Sequence, residues 1–397
     1  MRILKFISVF LLTALVIFGL VLGLNWKAFQ TFLDNRESMM EGSELVENTS
    51  SLANLADFIE MYPRYVSVAS KRMDQPDSTM LYQEDVPRVM GTSANFFILL
   101  AGAMELDAGS MSGDEMIPWD DISRYQLPDV EESVHSQSFN FAAERGWLRD
   151  EEITVSKALR LLAEYNSLAL ADYLWWKINP GTWNELRQEL DLEQTDLPLP
   201  YSGLYQAIST GLQQQSVEKI TARWQDAESD EWRDYVAGLS REYRSESEER
   251  EQVREYMSSE RLGNTFMEER DAMILFPKTT AGEMLNILED LWNDEAVNEV
   301  VSGRVKDWMR WPMESQPRTS QDFDDYGAIY DSRMGLLNGF DFGTSAYTGN
   351  TAVQAVFFDR LPIAFWFHMS ANHMHQDFQQ RLIIDPAVIE RMQEIAE

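Results

Sequence analysis

The chain has 397 residues, and its 66 acidic side chains outnumber 33 basic ones, giving a formal charge of −33 at pH 7. A field of that sign repels phosphate and excludes a general nucleic-acid binder, and the lack of any cysteine excludes disulfides, thiol catalysis and Cys-ligated zinc. With 44% hydrophobic and 12% aromatic residues, what remains is a folded, acid-surfaced protein long enough for one large or two ordinary domains.

The first predicted element is a membrane span. Arg2 and Lys5 precede an uncharged run over residues 6–24, close to the ~20 residues that a helix needs to cross a hydrocarbon core. Basic residues ahead of the run and a long acidic chain behind it orient the N-terminus inward. No clean Ala-x-Ala cleavage site follows; Val21-Leu22-Gly23 is the best candidate, and Trp26 with Lys27 reads as an interfacial anchor instead. Residues 1–28 are therefore expected as an uncleaved single-pass anchor in the inner (cytoplasmic) membrane, with the bulk of the chain in the periplasm. Residues 29–55 are polar and read as a stalk or linker.

The body, residues 56–397, follows. "YPRYVSVASKRMD" predicts a strand and "STMLYQEDVPRV" its antiparallel partner. "GTSANFFILLAGAMEL", from Gly91, places small and hydroxyl residues ahead of a long apolar helix. Residues 151–178 carry apolar side chains at helical spacing behind an acidic start, predicting one helix. Residues 206–267 alternate charge signs, as an exposed helical insertion does. Thr280 followed by Glu283 is a capping-box pattern. Beyond Gln321, glycine-punctuated strands are expected, with "AVQAVFF" and "PIAFWFHM" joined by Asp359-Arg360, before a last helix from Pro386. The sum is an α+β fold: an antiparallel sheet built from both chain ends (56–90 and 320–397) with a helical lobe (91–319) inserted.

That order, and the flanks of five segments, resemble the serine β-lactamase and penicillin-binding-protein family, class A β-lactamases in particular. The resemblance runs from about Tyr62 to Ala396, apart from the charged insertion. It places Thr92-Ser93-Ala94-Asn95 over the family's Ser-x-x-Lys, Glu164-Tyr165-Asn166 over Ser-Asp-Asn, and Arg333-Met334-Gly335 over Lys-Thr-Gly, with Gly339 at the next glycine. "NPGTWNELRQELDL" and "FPKTTAGEMLNIL" resemble two further helices of the family.

The departures fall on the chemistry. Acyl transfer needs a hydroxyl and a group that takes its proton. Thr92 supplies a hydroxyl crowded by a methyl group, while Asn95 is an amide and no base. Making Ser93 the nucleophile puts Phe96 at the lysine position, and one residue turns a helical side chain by roughly 100°. No Glu-x-x-x-Asn deacylation loop stands between Asp191 and Tyr205. Thr92 or Ser93 is then expected as a helix N-cap, and Glu164 and Arg333 are expected to pair across a dead pocket.

The resemblance thus implies a degenerate enzyme with a binding or scaffolding role in the cell envelope, held by the membrane and meeting an envelope protein or cell-wall ligand, with no cofactor. The alternative is a working serine hydrolase of β-lactams, esters or peptides, with Ser93 or Thr92 as nucleophile and Lys71, Glu164 or Tyr165 as base. A third reading makes the charged insertion the functional surface. His368, His373 and His375 lack a completing carboxylate and read as strand-end or surface residues rather than metal ligands. "QDFDDYG" lacks the EF-hand spacing. Trp175-Trp176 and Trp308 with Trp311 read as packing, and no P-loop or dinucleotide fingerprint is present.

Overall fold

A computed structural model describes residues 33–225, 227, 229–245, 247–310, 331–335, 338–345 and 348–397. The expected membrane span, "QDFDDYG" and Trp311 lie outside these residues. No helix among the described residues is long and apolar enough to cross a membrane.

Strands β1 (Val66–Arg72), β2 (Gln75–Tyr82), β3 (Ser332–Met334), β4 (Gly339–Thr344) and β5 (Thr351–Phe358) form one antiparallel sheet in the order β2-β1-β5-β4-β3. The chain's two ends meet at its centre, where Val66 pairs with Phe358 and Ala69 with Ala355. The sheet expected from both termini is therefore present, with the helical lobe between its halves. Both faces of the central strands are covered, which explains the near-continuous apolar reading of "AVQAVFF". Because side chains alternate, Ala69, Met334, Phe340, Phe342, Val353, Ala355 and Phe357 face the helical lobe. Val66, Val68, Met80, Val356 and Phe358 face a layer of helices from the two chain ends.

In the helical lobe, α1 (Asn95–Ala108) is the buried centre. It is apolar almost all round, the pattern of a helix enclosed by others. The single helix expected over 151–178 is instead a short strand, Glu152–Thr154, then α2 (Val155–Tyr165) and α3 (Leu168–Lys177). Asn166 breaks it at φ 52°, a left-handed conformation that asparagine tolerates better than most residues. Ser167 then caps α3 by accepting from Leu170 N. Helix α4 (Tyr201–Ile208) opens the charged region, which is helical as expected. Its α5 (Ser229–Arg244) is no loose solvated arm: a Cβ on Gly203 of α4 would lie 2.0 Å from Val236 O, so only glycine permits this approach.

Helix α6 (Phe266–Ala272) closes the charged region, and α7 (Ala281–Trp292) and α8 (Glu299–Met309) lie against the sheet and α1. Thr280 accepts from Glu283 N at 3.2 Å, as the capping pattern predicts. The Glu283 carboxylate, however, accepts from the backbone N–H groups of Glu193 and Gln194.

Two expectations near the chain ends are corrected. "PIAFWFHM" is not a strand but the start of α9 (Ile363–Ala371), followed by α10 (Met374–Ile384) and α11 (Pro386–Ala396). An apolar run of this length has no decisive period, and Pro362, placed just before the first turn, suits a helix start as well as a strand end. Residues 35–41 are not a free stalk. Asn35 Oδ1 accepts from Phe266 N at 2.6 Å, and the Glu41 carboxylate binds the Arg270 guanidinium and accepts from Ile363 N at 3.2 Å.

Candidate functional site

The chain enters α1 through a 3₁₀ turn, Gly91–Ala94. Ser93 is 1% exposed, and its Oγ donates to Met90 O at 2.7 Å. Neither Thr92 nor Ser93 caps the helix: the N-cap is Ala94, with no side-chain bond. The 3₁₀ turn accounts for this correction, since Asn95 N–H finds backbone acceptors at Thr92 and Ser93 without a side chain. Over Ser93 lies the end of β3. Gly335 sits at φ +83°, and a Cβ there would fall 2.1 Å from Asn338 O and 3.1 Å from Ser93 Cβ. Asn338 pins this approach, donating from Nδ2 to Val89 O at 2.7 Å and accepting from Phe358 N at 2.9 Å.

At the first position of α1, Asn95 is fully buried. Its Nδ2 donates to Asn166 Oδ1 at 3.3 Å, and its Oδ1 accepts from the Tyr201 hydroxyl at 3.1 Å. That hydroxyl also lies 3.1 Å from Gly91 O, so its proton is shared between two acceptors. Burial raises the Tyr201 phenol well above its ordinary range, which keeps it a donor. Tyr201 is held by Asp172, whose carboxylate accepts from Tyr201 N at 2.5 Å and Ser202 N at 2.7 Å. Pro200 offers no side-chain cap, so a carboxylate from α3 serves the start of α4. Burial pushes Asp172 up to about 7 against those bonds.

Of the residues singled out in the sequence, Thr92, Ser93, Asn95, Asn166 and Gly335 come together here. Tyr201, Asp172 and Asn338 were not anticipated; a tyrosine and an aspartate without a motif carry no signal of their own, and only the folded chain joins them. Tyr165 packs its ring on Phe141 with centroids 5.3 Å apart, and burial raises its phenol. Glu164 precedes it at the half-buried end of α2.

The expected pairing of Glu164 with Arg333 is overturned. Ser332 and Met334 face the helical lobe, Ser332 donating to Lys306 O at 3.1 Å, so alternation turns Arg333 to the far side of the sheet. There it pairs with Asp341, Nε to Oδ1 at 3.6 Å. Gln354, which donates to Gln379 O at 2.9 Å, and His375 complete a buried polar group between sheet and α10. Burial, partly offset by Arg333, pushes Asp341 up to about 7, and burial lowers His375 to about 4.

Thr92 borders a cavity of about 570 Å³. Its walls are mainly apolar, including Met90, Tyr205, Met273, Phe358 and Leu361. The charges around it are already matched: Arg261 with Glu269, Arg270 with Glu41, and Arg360 with Asp359 at 3.3 Å. Lys71, a candidate base, lies on β1 with its amine 2.5 Å from Glu289 Oε1. Among the described residues no basic side chain hydrogen-bonds the Thr92 or Ser93 hydroxyl, and no three His, Asp or Glu side chains are placed to hold a metal. His368 lies inside α9 rather than at a strand end and meets Thr49 O at 2.8 Å, and His375 is buried rather than at the surface. Trp175 and Trp176 donate to Pro198 O and Ser240 Oγ at 2.8 and 3.0 Å and border a second cavity of about 900 Å³.

No family model matches the sequence, and no curated protein matches it. Solved structures do. The chain is similar to a β-lactamase from Sphaerobacter thermophilus, with 13% identity, 87% of this chain and 94% of that chain covered, and a TM-score of 0.48. It is similar to a class A β-lactamase from Bacteroides cellulosilyticus, with 10% identity, 86% and 97% covered, and a TM-score of 0.46. It is also similar to a PBP-A mutant in an acyl-enzyme complex with penicillin G, with 13% identity, 87% and 94% covered, and a TM-score of 0.42. The likeness concerns overall arrangement; the chemistry of this chain rests on its own residues.

Proposed function

We propose that this chain is a membrane-anchored, β-lactamase-like protein of the cell envelope that binds or scaffolds and forms no acyl intermediate. One observation carries the reading. Where the family's mechanism wants an amine, the Asn95 carboxamide is buried and engaged at both ends, by Asn166 and by Tyr201. An amide accepts no proton at ordinary pH, and a phenol held protonated by burial does not either. Ser93 spends its proton on a backbone carbonyl beneath Gly335, while Thr92 borders a mainly apolar cavity and, among the described residues, no basic side chain hydrogen-bonds its hydroxyl. Lys71 is committed to Glu289 on the sheet. What the frame retains is a packed joint between its lobes and an adjoining cavity of ligand size.

The catalytic half of the proposal is tested by incubating the folded full-length chain with a fluorescent penicillin and a fluorophosphonate, then mapping adducts by mass spectrometry. No adduct on Thr92 or Ser93 is expected; a stoichiometric adduct on either makes the protein an enzyme. The orientation is tested through the natural absence of cysteine. Exposed Val300 replaced by cysteine (Val300→Cys) should react with an impermeant maleimide while the inner membrane is intact. Protection until lysis would place the body in the cytoplasm.

A further inference from the structure

The cavity beside Thr92 opens on an apolar face that the proposed function leaves unused. Trp366 and Phe367, each 39% exposed, line the cavity and also reach its outer side. The turn Ser38–Met40 packs on α9, which carries both rings. Met40 on that turn is 61% exposed, and Leu33, at the start of the described chain, is 52% exposed. Phe266 joins the two parts: its ring meets Phe367 edge-on at 5.7 Å and its N–H donates to Asn35. In a chain of charge −33, clustered bare apolar side chains are out of keeping with the rest of the surface, and such clusters mark interaction sites.

The position of this face says what covers it. The uncharged run ends at Leu24, nine residues before Leu33. At about 3.3–3.6 Å per residue, even an extended connection reaches only roughly 30 Å. If the run spans the membrane, the cavity mouth is tethered next to the bilayer surface, where tryptophan and phenylalanine insert readily. Behind that mouth lies an apolar chamber of about 570 Å³ whose arginines are already matched by carboxylates. Such a chamber offers an incoming headgroup no spare charge, yet it shelters hydrocarbon well.

We propose that this cavity takes a long hydrocarbon chain drawn from the adjacent membrane, with Trp366 and Phe367 at its entrance and Tyr205 and Met273 on its inner wall. The proposal rests on the membrane-anchored reading above. The chemistry it names is an acyl chain, supplied by a phospholipid or by a free fatty acid.

The test uses the full chain in nanodiscs of phosphatidylethanolamine and phosphatidylglycerol, carrying either a phospholipid or a free fatty acid with a diazirine near the chain end. After irradiation, adducts on the peptides holding Tyr205 and Met273 are expected from at least one probe, and the probe that gives them identifies the source. Met273→Trp, and independently Leu361→Trp, should reduce these adducts at least fivefold by filling the chamber. Labelling within residues 6–24 should stay constant as the internal reference. Adducts confined to residues 6–24, with none on the inner wall from either probe, overturn the proposal. So does inner-wall labelling that appears only after residues 1–32 are removed, since the chain's own N-terminal segment would then be the occupant. Fluorophosphonate labelling of Thr92 in the same samples separates the two readings: an adduct there ends the non-catalytic one and leaves lipid adducts standing. Missing lipid adducts with Thr92 unlabelled end only this one.

Discussion

The hydroxyl of Tyr201 is a single group on which the joint between α1, α2 and α4 turns. It donates toward Asn95 Oδ1 and Gly91 O, both inside the protein. Tyr201→Phe keeps the ring's packing and removes only the donor, so the cost is that of leaving a buried acceptor without its partner, about 1–3 kcal/mol. Urea unfolding of the two chains measures this directly; a change within ~0.3 kcal/mol would mean that the network fills space without holding the lobes. Asp341 makes a prediction of different form. Burial raises its carboxyl to about 7, above the ordinary carboxylate value, so the folded chain holds this proton more tightly than the unfolded one. The sign follows: the contribution is fully present below the unfolded value near 4 and is lost as pH rises through about 7. Asp341→Asn keeps the shape of the protonated acid and cannot ionise. Between pH 5 and 7 the wild-type stability should therefore fall more steeply than the variant's, by at most about 1.4 kcal/mol per pH unit. Parallel slopes would show that Asp341 is already ionised at pH 5, paired with Arg333.

At the scale of elements, the position of Gly335 shows how local backbone sets the site. With φ +83° and Asn338 O 2.1 Å from any added Cβ, Gly335→Ala must displace the end of β3 from Ser93. A loss of about 1–3 kcal/mol is expected. Gly238 in α5 has open space around its Cβ position, so Gly238→Ala should instead gain up to ~1 kcal/mol through helix propensity. Equal effects at the two positions, in the same denaturation experiment, would remove the steric account of Gly335. The contrast also marks what a sequence shows and what it hides. β5 was legible because a strand buried on both faces leaves a long apolar run, whereas β1 and its edge partner β2 were legible as two consecutive short strands that pair antiparallel. Asn95 and Asn166 were legible through the flanks that align them, and they do touch. The strand expected at 362–369 was not resolvable, because a short, mostly apolar run fits either period. Arg333 failed for a sharper reason: a shift of one residue in a strand exchanges its faces, and Met334, not Arg333, turned out to face the lobe. Tyr201 and Asp172 were beyond reach, since they matter only through contacts distant in sequence.

For the whole molecule, two opposing electrostatic effects predict opposite responses to salt, and their sizes decide between them. Surface ion pairs such as Arg391 with Asp57 and Glu60, or Arg381 with Asp377 and Asp385, are weakened by screening. Each is worth about 0–1 kcal/mol, and many are worth nothing measurable. Against them stands the mutual repulsion of 33 excess negative charges, which folding brings closer together. Salt relieves that repulsion as the screening length falls from about 30 Å at 0.01 M to about 8 Å at 0.15 M. Only charges farther apart than the screening length are decoupled first, so the long-range repulsion goes before the contact pairs do. Raising sodium chloride from 0.01 to 0.3 M should therefore raise the melting temperature of the full chain, measured by calorimetry in an uncharged detergent. Most of that gain should come below 0.15 M. Because the Asp341 carboxyl is buried, its pH dependence should survive at 0.3 M, whereas the repulsive contribution should not. A melting temperature that falls with salt would mean that the surface pairs outweigh the net charge, and that the acidity of this chain is organised in networks rather than spread as a field.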